Sequence, residues 1–153
     1  MTLSELLNPE LILVKTASVS TNELISTLAE KIYETNPDFP VPREKLLDTI
    51  FKREQIGGTM FPSGLSVPHA RLGNFEGFVL ALGTSVEPIL YQGFKLRLMA
   101  LMISSQTGGQ YYLPTVAALT KISRDNEYFS RLCEAEDKDD FIRILMERDQ
   151  NLG

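Results

Sequence analysis

Residues 77–85, GFVLALGTS, and 96–103, LRLMALMI, are nearly continuous apolar runs of strand length. A strand with one wet face alternates polar and apolar residues. A run without alternation suits the middle of a sheet covered on both faces. The flanking chain supplies the covers. SVSTNELISTLAEKIYET places apolar residues at 24, 25, 28, 29, 32 and 33, a helical spacing, with Ser20 or Thr21 as cap. A second helix is expected from near Pro42 to near Arg53, with apolar positions 46, 47, 50 and 51 on one stripe. LILV at 11–14 reads as a further strand.

After the second long run, the polar stretch SSQTGGQ at 104–110 reads as a loop. Pro114 is tolerable only in a first helical turn, so a helix starts near Leu113. NEYFSRLCEA and DKDDFIRILMERD follow as two more helices, the latter with Phe141, Ile144, Leu145 and Arg148 on one side. Strands and helices are interspersed. The fold class is therefore α/β, a single mixed sheet of about five strands with helices on both faces. No repeat, low-complexity tract or linker divides residues 1–153, so one domain is expected.

The chain carries 15 basic and 20 acidic residues, a formal charge of −5, the wrong sign for gripping nucleic-acid phosphates. No apolar run approaches the roughly 18 residues of a membrane span, and MTLSELLNPE lacks the parts of a signal peptide. A cytoplasmic protein is expected. One cysteine and one histidine cannot build a structural zinc site, and no spacing resembles an EF-hand, so no metal is expected. Cys133 sits between helix-like apolar residues and reads as packing.

The one histidine, His69, lies in LSVPHARL, directly after a proline and at the expected exit of the strand LSV. The preceding GGTMFPSG at 57–64 holds too many breakers for a regular element and reads as a loop. From the residues alone several roles stay open. His69 suits a structural ring bonded to backbone, a general base, or a nucleophile whose neutral nitrogen accepts a phosphoryl group. Arg71, two residues on, is either a binding cation or a solvated rim charge. A hydrolase fits poorly, because Ser63 and Ser66 lie in no G-x-S-x-G elbow. The loop also lacks the Lys-Ser/Thr ending of a nucleotide-binding P-loop.

The run REQIGGTMFPSGLSVPHARL, residues 53–72, resembles the signature of type-2 enzyme IIA domains of the bacterial phosphoenolpyruvate-dependent sugar phosphotransferase system, including their nitrogen-regulatory relatives. The order of elements is similar too, from about residue 3 to 150. The resemblance implies that His69 takes phosphate from the phosphocarrier HPr and passes it to a cysteine on a IIB component, without metal or nucleotide. It implies that Arg53 steadies the phosphoryl charge and that Thr59 shapes the pocket. The chain departs from the pattern at Gly58-Thr59-Met60 and at Ser66. Many members carry a second histidine at the start of the helix after the last long strand; here Tyr112 stands in its place. Two functions follow: phosphate transfer toward sugar uptake, with any membrane role through a separate IIC permease, or control of a regulator, kinase or ion transporter by phosphorylation state. A domain that only binds partners is a third.

Overall fold

The structure, a computed structural model, describes residues 1–106 and 110–153. Its main sheet has five strands: β1 (Ile12–Thr16), β2 (Leu65–Ser66), β3 (His69–Leu72), β4 (Phe78–Ser85) and β7 (Leu98–Ser105). Across the sheet the order is β1-β4-β7, with β2 and β3 both on the far edge of β7. β1 pairs parallel with β4, β4 antiparallel with β7, and β2 and β3 parallel with β7. The mixed five-stranded sheet matches the expectation from the apolar runs.

β7 is buried at every position, and its alternation assigns each residue to one cover. Leu98, Ala100 and Met102 join the core under α4 (Tyr112–Arg124), α5 (Asn126–Cys133) and α6 (Lys138–Glu147). Met99, Leu101 and Ile103 join the opposite core under α2 (Thr21–Thr35) and α3 (Arg43–Ile56). The short α1 (Leu3–Leu6) adds Leu3 to the first core. α2 begins as its sequence suggests: Ser20 Oγ accepts from Glu23 N at 3.1 Å, and Glu23 Oε2 accepts from Val19 N at 2.7 Å. Gly83 lets α2 lie close to β4, since a Cβ there would stand 3.1 Å from methyls of Leu24 and Leu28.

Four sequence expectations are corrected. The strand expected at 65–67 is two residues long, and a second edge segment opens at His69, so His69 begins a strand instead of leaving one. Pro68 separates the two, because it has no N–H to give a ladder, although its carbonyl still accepts from Met102 N at 2.9 Å. The run at 96–103 splits: Leu96 ends a hairpin of β5 (Ile89–Tyr91) and β6 (Phe94–Leu96), while β7 extends through Ser104 and Ser105. Those serines therefore belong to the sheet and not to the loop expected over 104–110, of which 107–109 lie outside the described residues. Finally, Arg148 is the C-terminal cap of α6, where it lies over the Tyr128 ring and pairs with Asp125, while Phe141, Ile144 and Leu145 are buried.

The signature loop covers the edge that β2 would otherwise expose. Phe61 N donates to Leu65 O at 2.7 Å and Val67 N to Thr59 O at 3.1 Å, so the loop runs back along the outside of the edge strand. Gly64 makes the turn at φ 98°, where a Cβ would meet Lys95 O at 2.7 Å and Arg97 Cδ at 2.8 Å. No helix among the described residues is long and apolar enough to cross a membrane.

Candidate functional site

His69 is the first residue of β3 and pairs in register with Met102 of β7. Alternation turns its ring toward the α4 side, the side of Met102 and Ser104. There Ser104 Oγ lies 2.8 Å from Nε2, and Ser104 is itself fully buried. The first residue of α4, Tyr112, lays its ring flat on the imidazole, with centroids 3.8 Å apart and planes 10° from parallel. The ring is thus fixed on one edge and one face, and only 8% of His69 remains exposed.

Burial dominates the chemistry of this ring. Removal from water disfavours the imidazolium, and the positive charges of Arg71 and then Arg53 push the same way, so the pKa falls to about 4. At neutral pH the ring is uncharged, and one nitrogen keeps its lone pair. Such a nitrogen is a nucleophile. Two guanidinium groups that repel a proton on it would attract an anion brought to it.

The two arginines whose charges act on the ring come from different elements. Arg71 follows on β3, two residues along, and is exposed. Arg53 comes from the last turn of α3, which covers the other face of the sheet, and its Nη1 donates to Gly57 O at 3.0 Å. Thr59 is placed elsewhere: its hydroxyl donates to Glu54 Oε1 at 2.7 Å, tying the loop to α3, and it lines a small recess with Met60, Ser66 and Met99 on the α2–α3 side. The structure therefore gathers His69, Tyr112, Ser104 and the fields of Arg53 and Arg71, and leaves the Thr59 hydroxyl to hold the loop. Ser104 was not singled out in the sequence. Its signal was period-two spacing from Met102 at the end of a buried run, on the face that His69 shares.

The fold and this edge-strand histidine define a class: a helix-covered mixed sheet with one buried imidazole on its edge, under the electrostatic influence of two arginines. The family model for "Phosphoenolpyruvate-dependent sugar phosphotransferase system, EIIA 2" matches residues 5–148, and the chain belongs to this family of phosphotransfer components. Among relatives, it is 27% identical over 107 residues to the 2-O-alpha-mannosyl-D-glycerate-specific EIIABC component of Escherichia coli, covering 67% of this chain but only 16% of that protein. It is 22% identical over 148 residues to the nitrogen regulatory protein of Bradyrhizobium diazoefficiens, covering 95% of each. In three dimensions it resembles the nitrogen regulatory protein IIA-Ntr of Neisseria meningitidis, with TM-score 0.76 at 17% identity over 93% of this chain and 97% of the other. It resembles IIA mannitol of Escherichia coli with TM-score 0.70 at 17% identity over 91% and 98%.

Proposed function

We propose that the chain is a phosphocarrier in which His69 accepts a phosphoryl group from HPr and passes it to a IIB component. The observation that carries this reading is the neutral, immobilised ring of His69 in the field of Arg71 and Arg53. In the forward step a ring-nitrogen lone pair attacks phosphorus, the new P–N bond forms as the bond to HPr breaks, and the HPr side leaves with its electron pair. The transferring group spreads negative charge over its equatorial oxygens, so positioning and cations supply most of the catalysis. A IIB acceptor is supported by analogy: a solved structure similar to this one is IIA mannitol bound to phosphorylated IIB mannitol.

A second reading has its own support. The likeness to nitrogen regulatory proteins runs along nearly the whole of both chains, and Tyr112 stands against the ring where a second histidine is expected from the resemblance. In that reading phosphorylation of the same histidine controls binding to a regulated protein.

Incubation with phosphoenolpyruvate, enzyme I and HPr should attach acid-labile, base-stable phosphate that is lost in His69→Ala. No label on the wild type would overturn the proposal. Label that no IIB removes would select the regulatory reading. Arg53→Ala should slow labelling about tenfold; an unchanged rate removes Arg53 from the mechanism.

A further inference from the structure

At the opposite end of β7 from His69, about 15 Å away along the strand, lies a cleft of about 470 Å³. Its wall comes from the end of β1, the turn after β4, Arg97 and the end of α5. Two features suggest that it is built for a ligand. Lys15 sits at φ 56° inside β1, the left-handed region that non-glycine residues rarely adopt, at a break in register between Leu13 and Thr16. Thr84 holds this bulge: its Oγ1 accepts from Lys15 N at 2.8 Å and its carbonyl from Thr16 Oγ1 at 3.0 Å. Bulges re-aim side chains, and this one sends Lys15 to Glu136 at the cleft, with Nζ 2.9 Å from Oε2.

The second feature is Arg97. Its guanidinium stacks over Phe129 at 4.8 Å and donates to Ser63 O, Asn126 Oδ1 and Ser130 Oγ, all neutral acceptors. No carboxylate among the described residues pairs with it. Gly64 leaves the space along which its stem runs. The result is a cation held by neutral partners, outside any ion pair, among the residues that line the cleft.

We propose that this cleft is a second binding site, for a small monocarboxylate whose head sits on Arg97 and whose apolar body lies along Val86 and Pro88. The charges select the ligand. Glu136 already neutralises Lys15, and Glu134 also lines the cleft, so Arg97 can balance one negative charge on a ligand while a second would face only carboxylates. Val86 is 61% exposed, an apolar surface for a short chain. Cys133, on the inner wall, offers an uncharged thiol to the same chain.

The test is a titration of the full chain with hexanoate, read from the backbone amide signals of Lys15, Val86, Arg97 and Cys133, with hexanamide as the uncharged control. Saturable shifts at these four residues are expected, with affinity for hexanamide at least about tenfold weaker. Arg97→Gln should weaken hexanoate binding by a similar factor. Because Arg97 also braces α5, the hexanamide comparison on the wild type decides the matter alone. Equal binding of acid and amide, shifts that do not saturate, or shifts centred elsewhere would overturn the site.

Discussion

His69, at the start of β3, and Cys133, at the end of α5, are the chain's one imidazole and one thiol; the first is buried and the second half-buried at the wall of the cleft. Burial disfavours whichever form is charged, and it does so in both places. For the imidazole the lost form is the cation, and what remains is the nucleophile. For the thiol the lost form is the thiolate, and what remains is inert. His69 is pushed down to about 4 and Cys133 up to about 12, the latter despite the opposing pull of Arg97. One physical cause thus keeps one nucleophile ready and silences the other.

The largest effect expected from this contrast is in phosphoryl labelling. His69→Gln should reduce it by about three orders of magnitude or more, because the hydroxyl left beside that place, Ser104, is a far weaker nucleophile than an imidazole once the ring that could take its proton is gone. Cys133→Ser should label at the wild-type rate. Phosphate surviving in His69→Gln, or found as a thiophosphate on Cys133, would break the comparison.

Next comes the dependence of stability on pH. The folded pKa of His69 lies below its unfolded value of about 6.5, so between the two the unfolded chain binds the extra proton. The contribution of the neutral ring is complete above about pH 6.5 and is lost as pH falls toward 4. The full loss is about 3 kcal/mol. Denaturant unfolding at pH 7 and pH 4.5 should show most of it, and His69→Gln should show correspondingly less. A wild-type curve as flat as the variant's would place the ring in water.

Ser104→Ala should act more weakly, slowing labelling about tenfold, because the hydroxyl sets which ring nitrogen keeps the proton and how the ring is turned. A purely structural role would leave the ring's tautomer unchanged. Nitrogen NMR of the imidazole should instead show a shifted tautomer balance in Ser104→Ala and its restoration in Ser104→Thr.

How far the chain could be read without coordinates follows from the same physics. GFVLALGTS and LRLMALMI were legible as central strands because both faces of the sheet are covered and no polar position interrupts them. The His69 region was legible because its signature is contiguous. The edge segment His69–Leu72 was not, since a preceding proline and an exposed Arg71 disguise four residues that pair only with a distant strand. The hairpin at 89–96 escaped notice for a related reason: its turn uses left-handed Gln92 and Gly93, and Leu90 and Phe94 point outward. Ser104 looked like loop because only pairing with β3 and β4 makes it strand.

The smallest expected effect concerns Tyr112, and it asks which part of the residue matters. A tyrosine beside an imidazole can act through its hydroxyl or as an aromatic lid. The structure makes the contact face to face, 3.8 Å between centroids, which uses the ring and not the oxygen. Tyr112→Phe keeps that face and should change labelling less than about twofold. Tyr112→Ala removes it, uncovers the imidazole to water and should raise the pKa of His69 toward its ordinary value, the direction opposite to that set by burial. A labelling defect in Tyr112→Phe as large as that in Tyr112→Ala would reverse the assignment, making the hydroxyl the working group and the stack incidental.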